Sequence, residues 1–453
     1  MVKHLIKKYN VPVPRYTSYP TVPFWNQHTL DQNRWLQQVK DTFQQSNSDK
    51  GISLYIHLPF CESLCTYCGC NKRITKNHQV EEPYIAALQQ EWQTYLDVFG
   101  EPPQIRELHL GGGTPTFFKP RNLELLINSL FAQSKVHPNY NFGFEGSPNN
   151  TTESHLRDLY RLGFRRLSLG VQDFDHKVQQ AVNRIHDFQQ VKGIVDMAKS
   201  VGYQSINLDL IYGLPFQTNQ SMKKTLEQVG KLLPDRIAFY SYAHVPWKSP
   251  SQRGYSESDL PKEAQKRELF ELGKSMLTDL GYVDIGMDHF ALETDSICKA
   301  YRAQTLHRNF MGYTDSQTDL LIGLGVSAIS DTKTAYAQNN KQVEGYLQQI
   351  NDHGLAVYRG HFLSDQDQKV RDTILQLICN DQASNDPVIM EHMPLRGREA
   401  LKTMQREGLV EIDHELIKVT GPGKTFVRNI CSTFDTYLWD QKGSSSQIFS
   451  KAI

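Results

Sequence analysis

No apolar run in this chain of 453 residues approaches the ~18 residues that a membrane-spanning helix requires, so no stable membrane insertion is expected. Neither sign of charge prevails. Lys plus Arg and Asp plus Glu each total 49, which removes the global field that would draw a protein to nucleic acid or to an anionic membrane surface. The opening stretch MVKHLIKKYNVPVPRYTSYPT has basic residues but no apolar segment ahead of its prolines. No signal peptide is therefore expected, and the expected location is the cytoplasm. Cysteine is sparse over most of the chain: Cys298, Cys379 and Cys431 stand far apart in helical patterns and are expected to be small buried residues. The total of seven is odd, which in a reducing compartment argues against a disulfide framework.

The other four cysteines fall within ten residues, CESLCTYCGC at 61–70. Their setting is a repeating one. From 51 to about 290, strand-like segments alternate with amphipathic helical patterns such as VEEPYIAALQQEWQTYLD and QKRELFELGKSMLTDLG. The strand candidates are ISLYIHLPF, IRELHLGG, YNFGFEGSP, RRLSLGVQ, YQSINLDLIYGLP, RIAFYSYAHVP and YVDIGMDHFA. Such alternation reads as βαβ units on a parallel sheet. Nearly every strand ends in Gly, Asp, Glu, Gln or His, and in barrel-like parallel sheets the loops after the strands carry the chemistry. The expected fold class is α/β: a full or partial parallel (β/α) barrel with its extension over 51–355, preceded by an N-terminal arm and helix over 1–50. Beyond 356 the repeat stops, and helical patterns around a small hairpin predict a mostly helical, winged-helix-like C-terminal domain over 356–453. A packing or lid role suits that domain better than DNA binding, because Arg and Lys do not cluster on a recognition helix.

Cys61, Cys65 and Cys68 have C-x3-C-x2-C spacing on a loop directly after ISLYIHLPF, so three thiolates can converge on one metal centre. Structural zinc would need a fourth ligand, for which Cys70 or His57 stands nearby. An electron-transfer [4Fe-4S] cluster also normally takes four cysteines. Three cysteines on a cubane leave one iron open to chemistry. GGGTP at 111–115 ends the next strand, and glycines there let a small polar ligand approach the backbone amides.

The CxxxCxxC loop, with the aromatic Tyr67 just before its last cysteine, and GGGTP resemble the two cofactor loops of radical S-adenosylmethionine (SAM) enzymes. The likeness goes further. PRYTSYPT at 14–21, CGCNK at 68–72, GVQDF at 170–174, VNR at 182–184 and NLDLIYGLP at 207–215 resemble the oxygen-independent coproporphyrinogen III oxidase family. So do MDHFA at 287–291, HRNFMGYT at 307–314, GVSAIS at 325–330 and NICSTFDTYL at 429–438, which extends the resemblance over essentially the whole chain.

That resemblance implies one [4Fe-4S] cluster on Cys61, Cys65 and Cys68, and two SAM molecules. For the first SAM it implies Tyr55, Gly112, Gly113, Thr114 and Glu145; for the second, Tyr67, Gln172, Arg184, Asp209, Ala243 and Ile329. Arg184 suits a methionine carboxylate, and Asp209 suits an ammonium, a ribose or the sulfonium. The structural reading of the same pair is an ion pair on the barrel rim and a loop cap. Cys70 is expected near the site without ligating, and no catalytic side chain is expected beyond the cluster and bound SAM. The tip EGSP at 145–148 departs from the family's common E-x-D-P or E-x-N-P at Ser147.

The implied reaction converts two propionates of coproporphyrinogen III to vinyl groups, giving protoporphyrinogen IX. A 5'-deoxyadenosyl radical takes a propionate β-hydrogen, and one electron and carbon dioxide are then lost. An anionic macrocycle asks for cations at the barrel mouth, and the candidates are Arg15, Arg165, Arg166, His289, His307 and Arg308, with Tyr16 and Tyr19 of the arm folding over the substrate. A monomer is expected, with a reducing protein such as flavodoxin or ferredoxin and an electron acceptor that the sequence does not identify. A heme chaperone and a radical SAM methyltransferase of the same superfamily are the alternatives. Cys70, PRYTSYPT and NICSTFDTYL favour the oxidase.

Overall fold

The computed structural model describes residues 2–25, 30–247, 249–440 and 449–450. The other residues expected in the arm and the C-terminal domain lie outside this description. Twelve strands form one sheet: β1 (Ile52–Leu58), β2 (Gln104–Gly112), β3 (Lys135–Gly146), β4 (Arg166–Gln172), β5 (Ser205–Tyr212), β6 (Arg236–Ser241), β7 (Tyr282–Gly286), β8 (His289–Leu292), β9 (Leu321–Leu324), β10 (Ile329–Asp331), β11 (Ala335–Asn339) and β12 (Val357–Phe362). Their spatial order is β12-β11-β10-β9-β1-β2-β3-β4-β5-β6-β8-β7. Strands β1 to β6 run parallel in chain order, and β9 joins β1 in parallel from the other side. The sheet has two free ends, β12 and β7, so the barrel is partial.

A helix follows each strand of the parallel run: Glu81–Phe99, Pro120–Phe131, Glu153–Arg161, Phe188–Val201 and Asn219–Leu232 lie between β1 and β6. Local chemistry sets several of their ends. Thr152 and Thr218 cap their helices with reciprocal side-chain boxes, and Gly100 and Gly202 close the preceding turns in left-handed conformation.

The segment YVDIGMDHFA differs from the single repeat strand its sequence predicts. It is the antiparallel hairpin β7–β8, with Met287 and Asp288 at φ 46° and 72° in the two-residue turn. Positive φ at both central residues is the geometry of a type I′ turn, which sequences usually mark with Asn or Gly. The sheet also runs beyond position 355, because β12 pairs antiparallel with β11.

Alternation along the parallel strands divides the sheet into two chemically different faces. Leu54, Ile56, Leu108, Leu110, Phe142, Phe144, Leu167, Leu169, Ile206 and Leu208 pack into the large core under the helices. Their sequence neighbours Ser53, Tyr55, His57, Glu107, His109, Asn141, Glu145, Ser168, Asn207 and Asp209 point the other way, as a period of two requires. Parallel strands buried on both sides usually read as continuous apolar runs; here the inner face is polar and encloses a lumen.

The lower end of that lumen is closed by a hydrogen-bonded floor. Glu107 accepts from Ser53 Oγ at 3.0 Å and Thr314 Oγ1 at 2.8 Å, and Arg166 Nη2 approaches it at 4.0 Å. Arg236 Nε donates to Asp295 at 2.8 Å, Ser205 Oγ donates to the same carboxylate at 2.8 Å, and Asn141 donates to Asp315 at 2.8 Å.

A second core joins the N-terminal arm, the β7–β8 hairpin and the C-terminal helices. Tyr16 and Tyr19 are buried in it; Tyr16 Oη donates to Asp435 at 3.0 Å and Tyr19 Oη meets Thr436 Oγ1 at 2.9 Å. Burial holds the Asp435 carboxyl up at about 6. The arm thus docks on residues some four hundred positions away. Removing the Tyr16 hydroxyl leaves a buried acceptor without its donor, so Tyr16→Phe should lower stability by about 1–3 kcal/mol. A denaturant midpoint unchanged from the parent would contradict this docking.

Candidate functional site

The cysteine loop leaves β1 and is fastened at both ends by backbone. Residues Phe60–Cys61 pair in parallel with Arg73–Ile74, and Gly113 N and Thr114 N donate to Leu58 O and Phe60 O at 2.9 and 3.1 Å. A third tie comes from the segment after β4: Thr66 N donates to Val182 O at 3.1 Å and Asn183 Nδ2 to Leu64 O at 2.9 Å. The loop is therefore ordered by contacts independent of any metal.

Two of the three expected ligands have a hydrogen-bond donor on the sulfur. Thr114 Oγ1 lies 3.3 Å from Cys61 Sγ, and Arg184 Nη1 lies 3.5 Å from Cys65 Sγ. The neighbouring Cys70 thiol, with help from the Lys72 charge, draws Cys68 below the usual thiol range, whereas burial pushes Cys61 up to about 11. Cys70 itself is exposed. Hydrogen bonds to sulfur are a principal means by which proteins tune iron–sulfur clusters. Among the described residues no three His, Cys, Asp or Glu groups form a cage for a single ion. A cubane takes one thiolate on each of three irons, which three cysteines on one loop can supply. The donor set fits such a cluster. His57 has no nitrogen to spare for a metal, since Nδ1 faces Tyr55 Oη at 3.0 Å and Nε2 faces Asn71 O at 2.9 Å.

Close packing explains the triple glycine. A Cβ at Gly112, where φ is +112°, would sit 2.6 Å from the His57 ring, and one at Gly113 would sit 2.5 Å from Pro59 O. Gly112 N donates to Glu145 Oε2 at 3.2 Å, and His109 Nε2 lies 3.5 Å from Oε1. Burial would raise the Glu145 pKa, but the His109 hydrogen bond and charge, Gly112 N–H and His57 together hold it below the usual carboxylate range. Tyr55 stacks its ring near His109 at 6.3 Å. At the adjoining tip, Ser147 O accepts from Thr151 Oγ1 at 2.9 Å and Thr151 N at 3.0 Å, so backbone and Thr151 shape the EGSP turn.

Across the lumen, Arg184 turns its guanidinium onto the β4 bulge: Nε and Nη2 donate to Gly170 O at 2.8 and 2.5 Å. Gln172, at φ 70°, folds its amide over the same glycine. Burial would lower the Arg184 pKa, but Tyr67 and Cys65 more than offset it. Asp209 accepts from Asn207 Nδ2 at 2.8 Å and Ser168 Oγ at 3.4 Å. Burial first, and the neighbouring Glu145 charge second, push Asp209 up to about 7. Ala243 follows β6, its carbonyl accepting from Gln252 Nε2 at 3.2 Å, and half-buried Ile329 opens β10 and packs against the cluster of Trp25, Tyr336 and Leu363.

The expected substrate cations divide between the two ends of the barrel. Arg165 lies at the start of β4, bonded to Tyr160 O at 2.7 Å and stacked 3.9 Å over the Tyr160 ring. Arg166 belongs to the floor, and His307 stands near Arg371, Asp331 and Lys333 at the same end, where burial brings it down to about 4. These three are away from the mouth. Arg15 is at the mouth: Nη2 pairs with Asp288 Oδ2 at 2.8 Å and the guanidinium lies 5.9 Å over the Tyr240 ring. His289 is beside it, with Nε2 3.4 Å from Tyr240 Oη, and Arg308 lies 5.0 Å over the Tyr313 ring of the same group. Tyr16 and Tyr19 are engaged in the arm's dock. Sequence reasoning passed over His109, Ser168 and Asn207, although each stands two residues from an expected site position or directly across the sheet from one.

The chain's likenesses to known proteins agree with this geometry. Residues 55–229 match the Radical SAM superfamily. The oxygen-independent coproporphyrinogen III oxidase of Escherichia coli is 39% identical over 455 aligned residues, covering 99% of this chain and 98% of that one. The oxidase of the same description from Pseudomonas aeruginosa is 38% identical, again over 99% and 98%. The solved structure of the Escherichia coli coproporphyrinogen III oxidase, described as a radical SAM enzyme, superposes with a TM-score of 0.88 at 38% identity, covering 96% of this chain and 98% of that one. At that identity over nearly its whole length, the chain belongs to the oxygen-independent coproporphyrinogen III oxidase family of the radical SAM superfamily.

Proposed function

We propose that the protein carries out the oxygen-independent oxidative decarboxylation of two propionates of coproporphyrinogen III, giving the two vinyl groups of protoporphyrinogen IX. The observation that carries this reading is a three-cysteine loop hydrogen-bonded to a triple-glycine strand end, with two lumen carboxylates above one polar floor, in a chain alike to the oxidases throughout. The lumen would hold one [4Fe-4S] cluster on Cys61, Cys65 and Cys68, and two SAM molecules. Bound together, cluster and SAM supply a one-electron cleavage that delivers a 5'-deoxyadenosyl radical.

The chain's own part is to bind, orient and exclude water. Gly112, Gly113, Thr114, Glu145 and Tyr55 would serve the first SAM, with Glu145 kept ionised for its ammonium or ribose. Tyr67, Gln172, Arg184, Asp209, Ala243 and Ile329 would serve the second. Arg184 has a further role in holding Gly170 and the cluster loop, because its guanidinium bonds to both. The arm and C-terminal helices, sharing one core, would cover the mouth and keep water from the lumen. A cytoplasmic monomer reduced by flavodoxin or ferredoxin completes the proposal. No helix among the described residues is long and apolar enough to cross a membrane.

Incubated without oxygen with SAM, a reductant, an electron acceptor and coproporphyrinogen III, the protein should release two carbon dioxide per macrocycle and form protoporphyrinogen IX. Tight heme binding without decarboxylation would select the chaperone instead, and methylation of an acceptor the methyltransferase.

A second expectation concerns pH. The Asp209 carboxyl, up at about 7 in the free protein, must be ionised to meet a cationic cofactor. SAM affinity should therefore rise as pH increases through the range below 7, by up to about tenfold per unit, and level off above it. Asp209→Asn should flatten that rise. An undiminished slope in the variant, measured by anaerobic equilibrium dialysis between about pH 5.5 and 7, would remove Asp209 from the cofactor site.

A further inference from the structure

Arg308 is 7% exposed, and its Nε and Nη1 atoms are buried without a hydrogen-bond partner among the described residues. No carboxylate of those residues forms an ion pair with it. The candidates nearby are already engaged: Asp288 with Arg15 at 2.8 Å, and Asp381 with Lys424 at 2.7 Å and the Tyr301 hydroxyl. The remaining neighbours are neutral. Burial and then the Arg308 charge itself hold His289 down at about 4, and burial keeps the Cys379 thiol protonated, up at about 12. Tyr313 lends a ring face at 5.0 Å, and the His289 ring stands edge-on to that tyrosine at 5.2 Å.

A guanidinium enclosed by aromatic rings, a neutral imidazole and thiols, with free donors, is costly unless an anion completes it. We propose that Arg308 anchors a propionate carboxylate of the macrocycle, and that this propionate is one the reaction leaves intact. The inference rests on the reaction proposed above. Two arguments select a retained propionate. Through the rings of Tyr313 and His289, Arg308 adjoins the β6–β8 wall, at the other end of the β1–β6 run from β1 and its cysteine loop. Pairing with a buried cation also stabilises the carboxylate as an anion, which opposes its departure as carbon dioxide. Planar, permanently charged arginine suits this task, since it cannot discharge itself by losing a proton.

The test uses the holoprotein under anaerobic conditions and three probes: coproporphyrin III, its tetramethyl ester, and protoporphyrin IX, which keeps two propionates. Arg308→Met should weaken binding of both acids by about tenfold or more and leave the ester unchanged. KM for coproporphyrinogen III should rise more than kcat falls, with iron content as in the parent. A variant that keeps the parent's preference for acid over ester overturns the anchor. Weakened coproporphyrin III with unaffected protoporphyrin IX overturns the assignment to a retained propionate. Should Arg308→Met not fold, Arg308→Gln is read in the same way; loss of the fold in both would show that the guanidinium holds the protein and would overturn the proposal. A parent protein that fails to convert coproporphyrinogen III indicts the function itself, whereas a converting parent with an unaltered acid-to-ester preference in the variant indicts Arg308 alone.

Discussion

Period-two alternation on a parallel sheet is the constraint on which the rest of the structure depends. One face of β1 to β5 is Leu, Ile, Val and Phe, and its burial under the helices supplies the main hydrophobic stabilisation. The other face is polar and would be a severe penalty if it were packed dry. The chain meets that demand differently at the two ends. At the floor, Glu107, Arg236 and Asp295 are buried and hydrogen-bonded, Arg236 and Asp295 to each other. Higher up, Tyr55, His109, Glu145, Ser168, Asn207 and Asp209 keep partial accessibility, which is the surface a bound ligand would cover. The depth of a polar residue along its strand therefore decides whether it serves stability or chemistry.

The mouth inherits its precision from this arrangement. The two outgoing chains, from β1 and β2, remain hydrogen-bonded past the sheet, so the cysteine loop and GGGTP form one unit. Glycine at 112 and 113 is what lets them lie so close, with His57 and Pro59 in the space that side chains would take. Arg184 then ties that unit to the β4 bulge across the lumen. Preorganisation of this kind places thiols, amides and carboxylates before any cofactor arrives, which lowers the ordering cost of binding.

Much of this was legible in the residues. The six parallel strands, the cysteine loop and GGGTP announce themselves through strand-helix alternation and strand ends rich in Gly and acidic residues. Depth was not legible. Arg166 and Ser168 both stand on the inner face of β4, yet register sets Arg166 against Gly143 and Ser205 near the floor, and Ser168 against Glu145 near the mouth. Register is a tertiary fact that a single strand does not encode. Strands β9 to β12 were missed because they are short and lack the helix-spaced rhythm of the repeat. The β7–β8 turn was missed because Met287 and Asp288 take positive φ without the usual Asn or Gly signal. Tyr16 and Tyr19 read either as aromatics over a substrate or as an anchor for the arm, and their partners Asp435 and Thr436 lie too far along the chain for the local sequence to choose.

The account turns on a cluster held by three protein thiolates, with its fourth iron left for SAM. The most direct measurement is electron paramagnetic resonance of the reduced, anaerobically prepared Cys70→Ala protein, with and without SAM. The account predicts a cubane signal that persists without Cys70 and changes when SAM is added, as it does in the parent. Loss of the signal in Cys70→Ala, or a parent signal indifferent to SAM, would mean that the fourth iron is not open.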